Sequence, residues 1–320
     1  MLRAGTVAAL GATGLFAADR ASGATPAADG SQELPYPPGV TDASHATPAV
    51  AALFAGYFAA KSKHDIPAVM SYFSATNAVY LDACLGVALV GWQEINSEFS
   101  TFTTKPTAAI SYPLRVVGDA RSAVVELVDT PAFFGQELRS LSSVTFDAHG
   151  KIVRWVDYWD GRSSLIPNTI TSTYPVAFSD SEQNADPAVV RAAVKLQAAF
   201  AAGDAVAAVA LMSADVVHED MAAHTRVEGQ IQAQRYYTRA LGQLPYGPGA
   251  ALVHIAGSAQ GGGYEWSAAS VASPMRRGHI AIELNEAGKI SRLTAMYDSS
   301  LLTYTAYQSL VGLAAEAPLS

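Results

Sequence analysis

Thr47-Pro48-Ala49-Val50 and Asp186-Pro187-Ala188-Val189 open two stretches of chain that run in step, 139 positions apart. Each reads as a helix start, with an oxygen-bearing side chain at the N-cap and proline at the first helical position. Asp65 matches Asp204 at the same offset. Each precedes a short apolar run, Ile66 to Phe73 or Ala205 to Met212, and is expected to cap a second helix. Phe73-Ser74-Ala75 matches Met212-Ser213-Ala214, after which one residue is deleted. From there Val79, Asp82 and Gly91 match Val217, Asp220 and Gly229 at an offset of 138. Gly150-Lys151-Ile152 and Gly288-Lys289-Ile290 keep that offset, as do Asp160 and Asp298. An offset held over so much chain reads as a tandem duplication of one α+β unit.

The order of elements is the same in both halves. A first helix is expected over 48–63 and 187–202, then a short second helix. A strand follows at Val79 to Cys84 or Val216 to Met221, and a third helix after Gly91 or Gly229. Alternating strands come next: 110–117, 123–129, 138–146 and 152–159, against 251–257, 264–270, 279–284 and 290–297. His149-Gly150 and Ala287-Gly288 end the turns of the last hairpins. Three helices followed by antiparallel strands is an α+β pattern, with a pocket expected between the curled sheet and the helices. The boundaries read as a signal peptide over 1–24, a flexible leader over 25–45, a first domain over 46–165, a linker over 166–184 and a second domain over 185–315.

Half the residues are hydrophobic and 15% are charged, as in a chain with a sizeable core. The net charge of −8, without runs of Lys or Arg, argues against nucleic acid or an anionic membrane as partner and leaves a small apolar ligand. A single cysteine, Cys84, rules out an intrachain disulfide and a cysteine metal cage. Arg3, the uncharged stretch Ala4 to Ala18 and the small residues Ala21 to Ala24 resemble a bacterial export signal, so a secreted or periplasmic protein is expected.

Spacing within each half resembles the NTF2-like domains of the ketosteroid isomerase and SnoaL-like group, cones in which a curved sheet wraps three helices. Tyr57 lies eight residues before Asp65, and Asp82 nine before Gly91. In the second half Asp220 lies nine before Gly229, but Leu196 stands where the tyrosine would be. The resemblance implies Asp82 as acid/base residue, Tyr57 as hydrogen-bond donor and Ser142 at the place of a second donor. It also places Trp159 on the pocket wall. Alternation along Trp155-Val156-Asp157-Tyr158-Trp159 puts Trp155, Asp157 and Trp159 on one face. Asp157 is therefore an alternative acid/base residue, as in SnoaL-like cyclases, while Asp160 reads as a strand-end cap. Tyr80, Trp155, Trp159, His218, Asp220 and Tyr297 complete the expected lining. His218, Asp220 and His224 lack a convincing metal-ligand spacing, and Cys84 reads as a buried core residue, so neither metal nor cofactor is expected.

Three functions fit this pattern. One is a cofactor-independent isomerase or cyclase active in the first half. A second is a non-catalytic binding protein using the same pockets. The third is a scaffold whose cones are filled and whose two domains pair as a covalent pseudo-dimer.

Overall fold

A computed structural model describes residues 35–163, 184–268 and 275–315. The export segment and nearly all of the expected linker lie outside the described residues. Helix α1 (Pro48–Ser62) buries Val50, Phe54, Tyr57, Phe58 and Lys61 along one stripe. Its counterpart α5 (Pro187–Ala201) buries Val189, Ala193, Leu196 and Phe200. Asp186 Oδ1 accepts from Ala188 N at 2.8 Å, as an N-cap should. Thr47, expected to do the same for α1, makes no side-chain cap bond. Its backbone N–H instead donates to Gly118 O at 3.0 Å. The short helices α2 (Ile66–Met70) and α6 (Ala205–Ala210) are capped by Asp65 and Asp204, at 3.1 and 2.9 Å.

The remaining elements alternate in the same order in each half. In the first half they are β2 (Val79–Asp82), β3 (Val87–Val90), α3 (Trp92–Ser100), β4 (Ser111–Gly118), β5 (Ser122–Asp129), the short α4 (Pro131–Phe134), β6 (Leu138–Phe146) and β7 (Ile152–Trp159). In the second they are β8 (Met212–Asp220), β9 (Thr225–Glu228), α7 (Gln230–Ala240), β10 (Ala250–Ser258), β11 (Gly261–Ala268), β12 (Arg277–Leu284) and β13 (Ile290–Tyr297), followed by α8 (Tyr304–Gly312). Sheet orders correspond: β4-β5-β6-β7-β2-β3 and β10-β11-β12-β13-β8-β9. The order brings the first strand of each half beside the last, in parallel, so that Asp82 is the register partner of Asp157 and Asp220 that of Ala295.

The structure corrects the expected leader. Asp42–Ala46 forms β1, which pairs in parallel with β4 and extends the first sheet. Tyr36 is buried with its ring 5.7 Å from that of Tyr112. Part of the segment expected as leader therefore packs on the first sheet.

The two sheets lie against each other, β4 to β6 facing β10 and β11, with β6 against β12 and β7 against β13. At the contact Arg154 meets Glu265 in a two-pronged pair of 2.5 and 2.8 Å, and Tyr158 donates to the same carboxylate at 2.9 Å. Asp160 and Asp298, one at the end of each sheet, exchange places as caps. Asp160 Oδ1 accepts from Ser299 N at 2.8 Å and Asp298 Oδ1 from Gly161 N at 3.0 Å. The strand-end cap expected at Asp160 thus serves the opposite half.

Gly257 is the penultimate residue of β10, the strand that α5 leans on, and its carbonyl accepts from Asp186 N at 3.0 Å. Its φ of +129° excludes a side chain, and an added Cβ would sit 2.3 Å from Gly261 O. Gly257→Ala is expected to cost about 1–3 kcal/mol in urea unfolding; an unchanged midpoint would show that the hairpin absorbs the methyl group.

Candidate functional site

Helix α1 and the strands β2 and β7 converge on the interior of the first cone. Tyr57 and Lys61 are one turn apart on the buried face of α1, Tyr80 and Asp82 alternate on β2, and Trp155, Asp157 and Trp159 alternate on β7. All seven line a cavity of ≈ 70 Å³, together with Asp129, Phe99, Phe102 and Leu138. The Trp155 ring is the hub of the aromatic wall, with Tyr57 at 5.0 Å, Phe54 at 6.0 Å and Tyr80 at 6.4 Å between centroids.

The two carboxylates differ in how they are held. Asp157 is held by side chains: Ser142 Oγ and Trp155 Nε1 (2.5 Å) donate to its Oδ1, and the Tyr80 hydroxyl donates to its Oδ2. Burial raises its pKa, while those three donors and the Lys61 ammonium pull it back. Asp82 is held mainly through one oxygen. Its Oδ1 accepts from Cys84 N at 2.9 Å and Leu85 N at 2.7 Å, and Trp159 Nε1 bridges Oδ1 and Oδ2 at 3.2 and 3.0 Å. Oδ2 keeps acceptor capacity to spare. Burial, and then the neighbouring Asp157 charge, push the Asp82 pKa from 3.8 to about 7, against the backbone donors and the indole. A carboxyl so placed can take or give a proton near neutrality.

The expected residues do not all fall where the spacing put them. Ser142 is fully buried and spends its hydroxyl on Asp157, so it stands behind the carboxylate and not on the cavity wall. The Tyr57 hydroxyl, by contrast, has no hydrogen-bond partner among the described residues and belongs to the cavity lining. Cys84 is only partly buried. Its thiol is tied to the Trp159 carbonyl at 2.6 Å, and burial pushes its pKa well up, so it is no nucleophile. His64, bonded to Ala109 O at 2.9 Å, is not its base. The Lys61–Asp129 pair, 2.9 Å apart at the cavity edge, was not read from the sequence. A lysine four residues after Tyr57, on an apolar stripe, is the signal that pointed to it.

In the second half the corresponding groups are bonded to one another. Asp220 is fully buried: Oδ1 accepts from Ala223 N at 2.8 Å and Oδ2 from the Tyr297 hydroxyl at 3.1 Å. Tyr246 lies between Asp220 and His218, at 3.5 and 3.4 Å. His218 is sealed, its ring 5.3 Å from that of Tyr237, while His224 is exposed in the turn before β9. His218, Asp220 and Tyr297, expected to line a pocket, are buried and joined through the Tyr246 and Tyr297 hydroxyls, and Asp220 also borders the cleft between the halves. Among the described residues no cluster of His, Cys, Asp and Glu is arranged to hold a metal ion.

These buried groups set the pH response of stability. Burial takes Asp220, like Asp82, to about 7 from 3.8, so their stabilisation is present at low pH and is lost as pH rises through 7. Burial takes His218 and His279 from 6.5 to about 3, so theirs is present above pH 6.5 and is lost as pH falls towards 3. Between about pH 4 and 6.5 the two pairs oppose each other. Asp220→Asn removes one carboxyl and should make the pH slope of stability more positive than the parent's by about 1.4 kcal/mol per pH unit. Urea midpoints measured across pH 4–6.5 that keep the parent's slope in the variant would refute this.

By fold each half is α+β, a mostly antiparallel sheet packed on helices. Among solved structures, the chain is similar to a steroid delta-isomerase from Pseudomonas aeruginosa, at 15% identity and a TM-score of 0.33, covering 42% of this chain and 93% of that one. It is similar to a SnoaL-like protein of unknown function from Burkholderia thailandensis, at 13% identity and a TM-score of 0.31, covering 36% and 98%. An NTF2-like protein of unknown function from Burkholderia xenovorans gives 17% identity and a TM-score of 0.29, covering 32% and 77%. No family model and no curated protein matches the sequence.

Proposed function

We propose that the first half is a small-molecule acid/base site, in which Asp82 moves a proton on the bound compound without a cofactor, as an isomerase or cyclase would. The observation that carries this reading is Asp82 itself, a carboxyl on the wall of an aromatic cavity, raised to about 7, whose Oδ2 accepts only from the Trp159 indole. Tyr57 would donate its hydroxyl to the oxygen on which charge develops. Asp157, which accepts from three donors, orients Tyr80. The second half, sealed around Asp220, fits the scaffold role and completes a pseudo-dimer within one chain.

The cavity limits what enters. A site of about 150 Å³ is the size that accommodates benzene. At ≈ 70 Å³ only the reacting end of a metabolite fits. The test is deuterium exchange from D2O into a panel of small enolisable ketones and β-keto compounds. Exchange that rises with pH through a midpoint near 7 supports the proposal. If nothing exchanges while native mass spectrometry finds a retained ligand, the site binds without catalysis.

Export belongs to the same proposal and rests on the charged, apolar and small-residue pattern of 1–24. N-terminal sequencing of protein from its native host should find Ala24 or Thr25 first; a chain beginning at Met1 would refute it.

A further inference from the structure

The cavity beside Asp82 is too small for a whole metabolite, but the space next to it is not. A cleft of ≈ 300 Å³ lies between the two halves, with Gln136 and Arg139 of the first opposite Glu219, Met221 and Thr225 of the second. That volume reaches the lower end of small-molecule sites, roughly 300–1,000 Å³. Leu138 lines both the cleft and the cavity. It is the first residue of β6, just past the loop in which α4 ends on a left-handed Gly135, and it is 7% exposed.

We propose that the cleft between the halves is the vestibule of the first-half cavity, and that Leu138 is the partition that sets the size of molecule the cavity admits. This deepens the acid/base reading by naming the way in. It also gives the sealed second half a part in the site, as the outer wall of the entrance. The two compartments differ in character. Arg139 and Glu219 make the vestibule ionic, whereas Trp155, Trp159 and Phe102 make the cavity aromatic. A molecule occupying both has an apolar reacting end and a polar, hydrogen-bonding remainder.

Tryptophan fluorescence tests access without any reaction, so its failure and that of the acid/base reading are told apart. In a Trp92→Phe background the remaining indoles are Trp155 and Trp159 on the cavity and Trp266, sealed in the second half. Leu138→Ala is expected to raise the acrylamide quenching constant several-fold. Leu127→Ala removes the same atoms from a cavity wall that does not border the cleft, and should leave quenching unchanged. Thr225→Phe fills the cleft from β9 and should reverse the effect of Leu138→Ala. Should Leu138→Ala not fold, Leu138→Val is expected to give the same order with a smaller rise. Equal quenching in the two leucine variants, or opening of the cavity by Phe102→Ala alone, would overturn the proposal.

Discussion

Glu265→Ala is expected to remove about 3–5 kcal/mol from a protein whose total stability is on the order of 5–15 kcal/mol. Glu265 is fully buried where the two sheets meet. It would be neutral there from burial alone, yet Arg154 holds its pKa well below the ordinary 4.5. Both guanidinium prongs and the Tyr158 hydroxyl converge on it. Deleting the carboxylate strips a 3% exposed guanidinium of its bidentate partner and orphans a buried phenol. Glu265→Gln keeps the shape and should cost less. Replacing both partners with apolar residues, Arg154→Met with Glu265→Leu, should recover most of the loss, because the cost lies in the unmatched charge and not in the absent pair. Urea unfolding at pH 7 checks this. A Glu265→Ala variant within about 1 kcal/mol of the parent would mean that water reaches the contact and screens it.

This contact also marks the limit of what one half of the sequence can disclose. Tyr264-Glu265-Trp266 reads as a strand whose glutamate faces solvent, and Arg154 reads the same way on β7. Both are buried only because the other half covers that face. Local chemistry was legible wherever it acts locally. The caps at Asp65, Asp186 and Asp204, the helices behind them and the strand alternation that turns Trp155, Asp157 and Trp159 inward follow from spacing alone. The short strands β3 and β9 escaped because Val87 to Val90 is uniformly apolar and Thr225 to Glu228 nearly all polar, leaving no alternation to read. In the second half, Leu196 at the place of the family tyrosine suggested that Asp220 stands without a phenol. The structure brings Tyr246 from a loop and Tyr297 from the last strand to that carboxyl, a convergence that sequence offset does not encode.

Asp82→Asn should lower proton-transfer activity by about 10²–10⁴-fold, the usual contribution of a positioned acid/base group. Asparagine keeps the volume, and its oxygen can still accept from Cys84 and Leu85, so the cavity and its ligand should survive. Its amide nitrogen cannot accept from the Trp159 indole, so a modest loss of stability is expected beside the loss of rate. The ascending limb near pH 7 should disappear with the carboxyl that produces it. Tyr57→Phe, which removes one hydrogen bond and no proton carrier, should cost less, about 10–10³-fold. Asp220→Asn should cost the rate far less than Asp82→Asn, because that carboxyl borders the cleft and not the cavity that holds Asp82. Asp157→Asn gives the contrast that decides between the two carboxylates. It disturbs Tyr80, Ser142 and Trp155 together, so it should weaken binding and rate while keeping a pH limb, moved to lower pH because the Asp157 charge no longer raises Asp82. A variant set in which Asp157→Asn abolishes activity and Asp82→Asn retains it would move the proton-carrying role to β7, the SnoaL-like arrangement. The three donors on Asp157 would then be what tunes the base.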